Sequence, residues 1–325
     1  MEPSIDSSSR RTNGDPAVHS LHRFVFSVPD VNAAVEFYTA FGLDVRRMGG
    51  RVDLRTFGNS HRWAEIFQGH GPKRLEYISF GAYPQDYEAI IARVKKQGVE
   101  MVSPHRHADK PGCWFVDPDG TLVEMVISEK VSPTTKPAGA AAAAVAPGAG
   151  AAPTRASAQR IRPRRLSHIL LFCTDVPRMV KFYSDTLGLK LSDHSGDAIA
   201  FLHGAHASDH HMIAFCKSDG PGLHHSSWDV GSFDEVGLGM QQMIDAGHPD
   251  GWGVGRHVLG SNYFRSVRDP WGSFAEYSYD IDFIPHDLDW KAQDHKAEDS
   301  FYVWGPQVPD DFITNHESAA HRAAA

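Results

Sequence analysis

Two stretches of the chain carry the same alternation of apolar and polar positions. LHRFVFSVPDVNAAVEFYTAFGLDV begins at Leu21 and LSHILLFCTDVPRMVKFYSDTLGLKL begins at Leu166. In each, a short apolar run predicts a strand, an Asp (Asp30 or Asp175) caps a helix carrying a Phe-Tyr pair, and Gly42 or Gly188 stops that helix. Through the Phe-Tyr pair the two align without a gap at an offset of 145 residues, and one further residue precedes Gly188. LEYISF at Leu75 then matches LHHSSW at Leu223 with offset 148, and DPDGTLVEM at Asp117 matches DPWGSFAEY at Asp269 with offset 152. The offset grows only by loop-sized steps. Helical patterns over residues 85–97 and 233–246, each followed by strands and an Asp-Pro turn, complete a second unit in each half. The expectation is an α+β protein of four modules, duplicated as two pairs.

Between the halves, residues 129–163 form a Pro-, Ala- and Gly-rich tract with no periodic apolar face, which reads as a linker. The predicted organisation is a disordered N-terminus over 1–18, a first domain over 19–128, the linker, a second domain over 164–285 and a C-terminal extension over 286–325. Both chain ends are expected to fray. In the extension, Trp290, Phe301, Tyr302, Trp304 and Phe312 are too much aromatic surface for an unpaired tail. It is expected to pack back on the second domain and cover the mouth of a site, or else to form a subunit contact.

Composition narrows the function. At 325 residues, 41% hydrophobic and 22% charged, the chain can bury a core for two domains or one doubled one. Its 40 acidic residues against 32 Lys and Arg give a net charge of -8, and no basic stripe interleaved with aromatics offers a nucleic-acid footprint. The longest apolar run, Ala138 to Ala152, contains Gly and Pro and falls short of the ~20 residues a membrane span needs. The first residues lack an apolar signal core, and three Cys (Cys113, Cys173, Cys216) make no disulfide framework, so a cytoplasmic setting is expected. The 20 His make metal chemistry worth testing, with position rather than abundance as the criterion.

Position singles out one half. The matched strand positions hold His168, His225 and Glu276 in the second half, against Arg23, Tyr77 and Glu124 in the first. Two neutral imidazoles and one carboxylate on one face of a divalent ion leave positions open, the facial triad of non-haem Fe(II) sites. Alternation in a strand points His168 with Leu166 and Leu170, His225 with Ser227, and Glu276 with Phe274 and Ser278. A carboxylate among such neighbours is costly to bury unless paired or metal-bound. The competing reading is satisfied core histidines beside a buried Glu.

The repeated modules, the strand His in LSHILLF, the His pair in GLHHSSW and the run GRHVLGSNYFRSVRDPWGSFAEYSYDID resemble the type I extradiol ring-cleaving dioxygenases of the vicinal oxygen chelate superfamily. The resemblance spans residues 20 to about 285, and the RDPxGxxxEYxxD ending is most similar to the homoprotocatechuate-type branch. It implies paired βαβββ modules forming curved mixed sheets, with one metal site in the C-terminal domain and a first domain without ligands. The family's ligands, one His from the third module and a His and a Glu from the fourth, fall on His168, His225 and Glu276. The implied metal is Fe(II), with Mn(II) the alternative. The implied substrates are an aromatic diol and dioxygen, and a homo-oligomer is expected.

By the same resemblance, His211 in HHMIAF stands at the acid/base histidine and His257 in GRHVLG at a histidine that hydrogen-bonds a substrate hydroxyl. Their neighbours His210 and His224 are expected on the opposite strand faces, structural or exposed. The family's active-site tyrosine falls on Ser266, too short to replace a phenol, and Tyr263 and Tyr279 are the nearest candidates to fill the gap. A carboxylated substrate would call for cations, and Arg256, Arg265 and Arg268 flank this strand, although surface salt links are the commoner fate of such arginines. The alternatives are a hydroquinone dioxygenase, a lyase or an isomerase on the same scaffold, or a non-catalytic protein that binds an aromatic ligand.

Overall fold

The computed structural model describes residues 14–109, 112–140 and 145–318. Most of the predicted N-terminal tail (1–13) and the terminal run 319–325 lie outside them. Among the described residues, each half forms one large mixed sheet. The first has seven strands, running in space Asp44–Met48, Arg51–Arg55, Ala64–Gln68, Val18–Val28, Arg74–Ala82, Leu122–Ile127 and Cys113–Val116. The second has nine, and its central strands Ile213–Lys217, Arg165–Cys173, Gly222–Asp229 and Phe274–Tyr279 follow the same order. In both, the opening strands of the two modules pair antiparallel at the centre, and each module's last strand returns parallel to its first. The fold is therefore α+β, built from duplicated pairs of βαβββ modules, with an isolated bridge at Met101 in place of one strand in the second module.

Local chemistry sets the helix ends. Asp30 accepts from the backbone N–H groups of Asn32 and Ala33, opening Val31–Phe41, and Asp175 accepts from that of Arg178, opening Val176–Leu187. Gly42 ends the first in the left-handed region at φ 99°, where a side chain would also collide with the Ile161 carbonyl. The second helices of each pair span Pro84–Lys96 and Phe233–Asp245, the latter capped by Ser232.

One face of each sheet packs on its helices, and the two halves share that core. Tyr277 stacks on Phe41 with ring centroids 4.0 Å apart and donates its hydroxyl to the Phe41 carbonyl at 2.8 Å. Lys73 and Asp269 form a buried ion pair across the halves. Ala17 and Val18 are fully buried, and the Ala17 carbonyl lies 3.2 Å from His206 Nε2 of the second half. Residues 17 and 18, placed by expectation in the disordered N-terminus, are thus held in the core. The opposite face of the second sheet is left for a cavity, floored by Leu170, Phe201, Cys216 and Leu259.

The extension folds back onto the second half. Tyr302–Trp304 adds an edge strand beside Gly251–His257, Phe301 stacks on Trp252 at 5.1 Å, and Phe312 packs on Phe274 at 4.8 Å. Among the described residues no helix is long and apolar enough to cross a membrane.

Candidate metal centre

Strand register brings the predicted residues together. Ser227 pairs with His168 on one side and with Glu276 on the other, while Ser266 pairs with Glu276 from the next strand. His168, Ser227, Glu276 and Ser266 therefore form a row across four strands, and His225 stands two residues along from Ser227 on the same face. One ligand atom from each of His168, His225 and Glu276 lies within 4.8 Å of the others. The His168 and His225 Nε2 atoms are 3.3 Å apart, and His168 Nε2 is 4.0 Å from a Glu276 carboxylate oxygen. All three side chains are buried.

The donor set fits a divalent transition metal. Glu276 is buried, accepts the Ser227 hydroxyl at 2.8 Å and the Ser266 hydroxyl at 3.0 Å, and among the described residues pairs with no lysine or arginine. Burial by itself raises its pKa, while the Ser227 and Ser266 hydroxyls, one donating to each carboxylate oxygen, favour the ionised form. Burial drives the His225 pKa down to about 4 and holds His168 well below its ordinary value. Neutral imidazoles beside an ionised carboxylate leave a negative, lone-pair-rich pocket that a cation completes.

His211 and His257 reach the same cavity. The His211 ring lies 4.0 Å from that of His168 and 4.8 Å from that of Phe201. Burial, followed by the neighbouring histidines, holds its pKa well below the ordinary value. His257 stacks on Phe264 at 3.9 Å, donates Nδ1–H to the Phe301 carbonyl at 3.0 Å and presents Nε2 at 3.6 Å from Glu276.

Other expectations fare differently. Tyr263 lies outside the cavity, with its hydroxyl 3.3 Å from Arg256 and its ring against Phe233 and Trp304. It sits an odd number of residues from Ser266, so the pleat turns it to the other face. Tyr279 accompanies it there, at 6.2 Å. Among the described residues no tyrosine lines the cavity. Of the two alternatives for His210 and His224, structural or exposed, both are structural: they are buried, and each is hydrogen-bonded through Nδ1 to its neighbour, His211 at 3.0 Å and His225 at 2.7 Å. Simple alternation fails at His224 because the pairing slips between Leu223 and His225.

The arginines also turn away. Arg265 donates to the Gly253 and Pro249 carbonyls, Arg268 pairs with Asp311, and Arg256 covers the Tyr263 ring. Asn262 enters unforeseen: it lines the cavity, its amide donates to Ser278 at 2.9 Å, and its Oδ1 is buried with no hydrogen-bond partner among the described residues. Nothing in its local sequence, GSNYF, separates it from an ordinary turn asparagine.

Known proteins resemble the chain along nearly its whole length. The chain is 47% identical over 302 residues to Metapyrocatechase 2 of Cupriavidus necator, covering 93% of each. It superposes on a Mn(II)-bound glyoxalase from Novosphingobium aromaticivorans with a TM-score of 0.71 at 25% identity, covering 93% of this chain and 99% of that one. A variant of homoprotocatechuate 2,3-dioxygenase from Brevibacterium fuscum gives a TM-score of 0.73 at 19% identity, covering 94% and 84%, and so shares the fold. A family model matches residues 20–125 and 165–277, the two module pairs on either side of the linker. Duplicated modules, a shared sheet order and these matches agree: the chain belongs to the Glyoxalase/Bleomycin resistance protein/Dioxygenase superfamily.

Proposed function

We propose that this protein is an extradiol dioxygenase that opens the ring of a catecholic compound with dioxygen, and that His168, His225 and Glu276 hold its divalent metal, Fe(II). The observation that carries the reading is the convergence of these three buried side chains at the floor of an apolar cavity. The extended similarity to Metapyrocatechase 2 supports the same chemistry. A metal held there supplies Lewis acidity toward a diol's hydroxyls and brings diol and dioxygen together.

The chain's own residues do the rest. His211, kept neutral by burial, has a lone pair available to take a proton from a substrate hydroxyl and to return it later in the cycle. His257 has committed Nδ1–H to the Phe301 carbonyl, which leaves Nε2 toward the cavity to bind a substrate hydroxyl. Asn262 Oδ1 offers a second acceptor there. Ser266, standing where the family has a tyrosine, braces the Glu276 carboxylate instead. Leu170, Ile199, Phe201, Leu259 and Phe312 exclude water, and the cavity wall carries no lysine or arginine among the described residues. The preferred ring therefore bears neutral, apolar substituents.

The test is anaerobic purification with metal analysis, followed by oxygen uptake with catechol. Stoichiometric oxygen consumption with a coloured ring-opened product is expected. A metal-loaded protein that consumes no oxygen with any catechol would refute the proposal, and product formation without oxygen would indicate a lyase or isomerase.

A further inference from the structure

We propose that His224 is a positioning residue for His225: it accepts the Nδ1–H of His225, leaves Nε2 of His225 bare for the metal, and is itself anchored by the main-chain carbonyl of Phe312 in the C-terminal extension. The inference rests on the reading of His225 as a metal ligand.

Hydrogen-bond bookkeeping fixes the tautomers. His224 Nε2 lies 2.9 Å from the Phe312 carbonyl oxygen, which can only accept, so the proton sits on His224 Nε2. His224 Nδ1 lies 2.7 Å from His225 Nδ1, a contact that holds one proton. A neutral His224 has already placed its single ring proton on the carbonyl, so the shared proton belongs to His225. His225 Nε2 is then a lone pair, directed at the cluster. His168 follows the same rule by another route. The Ser167 hydroxyl donates to Asp209 at 3.2 Å and so must accept from His168 Nδ1 at 3.2 Å, which leaves His168 Nε2 bare. Two bare nitrogens then face each other at 3.3 Å beside a carboxylate, an arrangement that a shared cation reconciles.

The surroundings of His224 hold this geometry. Its ring packs against Phe172, Phe274 and Phe312 at 5.1, 5.5 and 4.8 Å, so it cannot turn to seek other partners. The slip in pairing between Leu223 and His225 is what puts both rings on one side of the strand. A phenylalanine would satisfy the aromatic packing and an asparagine the acceptor, so the two roles are separable by substitution. Partners behind a ligating imidazole are typically worth about 10- to 100-fold in metal affinity.

The experiment titrates the full-length, metal-free protein with Mn(II) under anaerobic conditions, reading free Mn(II) by electron paramagnetic resonance. His224→Phe is expected to bind about 10- to 100-fold more weakly than wild type, and His224→Asn to recover most of that loss. Wild-type affinity in a folded His224→Phe overturns the proposal, and so does an equal loss in both variants, which would assign His224 to packing alone. Should His224→Phe fail to fold, 15N resonances of histidine-labelled wild-type protein decide it: protonation of His225 on Nε2 overturns the relay and protonation on Nδ1 supports it. A wild-type protein that binds no Mn(II) refutes the metal-site reading itself, an outcome distinct from failure of the relay.

Discussion

The apolar cavity makes a quantitative demand on substrate choice. Its wall near the triad is built from Leu170, Ile199, Phe201, Leu259, Phe312 and Ile313, and Arg256, Arg265 and Arg268 are all engaged elsewhere. A methyl group on the ring gains about 0.8 kcal/mol on burial against such a wall, about fourfold in kcat/KM. A carboxylate at the same ring position must shed its water with no cation to receive it. Taking about 4 kcal/mol from the several kcal/mol that such desolvation costs lowers kcat/KM by about 10³. Initial rates of oxygen consumption at fixed metal content, comparing 4-methylcatechol with 3,4-dihydroxybenzoate, should therefore give a ratio above about 10³ in favour of the methyl compound. Leu259→Arg should narrow the ratio by admitting a counter-ion. A ratio near unity in the unmodified protein, or one favouring the acid, would sink the argument that this wall selects for neutral rings.

Three further outcomes follow from the same geometry. His225→Ala should lose stoichiometric metal while its circular dichroism stays that of wild type; full metal retention would count against the triad. His211→Ala should keep its metal and still bind catechol, with turnover reduced by about 10²- to 10⁴-fold, and unchanged turnover would move the proton-transfer role, with His210 the first suspect. His19 and His203, buried, and His22, half-buried, all away from the cluster, have pKa values lowered by burial from 6.5 to about 3. The folded chain keeps them neutral while the unfolded chain protonates below 6.5, so their contribution is complete above that pH and is lost as pH falls toward 3. Each should remove about 1.4 kcal/mol of stability per pH unit across that window, and a urea midpoint that stays flat from pH 7 to pH 5 would contradict it.

What could be read from the sequence was local or periodic. Asp30 and Asp175 cap their helices through N–H groups two or three residues away, and Gly42 and Gly188 end them, all within one turn of chain. The convergence of His168, His225 and Glu276 was legible because a duplicated fold repeats its register, so equivalent offsets land on adjacent strands. Parity alone already excluded Tyr263, since it shares the face of Arg265 and not that of Ser266. His224 lines the cavity although alternation sends it to the opposite face, because the strand pairing slips beside it, whereas His210 holds the structural place expected of it through Asp193. Asn262 and the carbonyls of Phe301 and Phe312 were out of reach for another reason. Their roles depend on where distant backbone lands, and a carbonyl carries no mark of its side chain.

The first half shows what the same lattice does when Arg and Tyr stand at the positions of the two imidazoles. Arg23, Ser79 and Glu124 stand in register there as His168, Ser227 and Glu276 do in the second half. At the position of the first imidazole, Arg23 brings its own cation: the guanidinium sits 3.1 Å from Glu124, 3.0 Å from Glu65 and 2.7 Å from Asp109. Tyr77 stands where His225 does and lies beneath the guanidinium, 5.9 Å from its ring centre. A buried carboxylate on this strand thus meets positive charge in either half, from a tethered guanidinium in one and, on the proposed reading, from an exchangeable ion in the other. A guanidinium has no vacant coordination positions and cannot leave, whereas an ion held by three side chains leaves room for ligands. On the proposed reading, exchanging one arginine and one tyrosine for two histidines separates a structural module from a reactive one, with the carboxylate and the sheet unchanged.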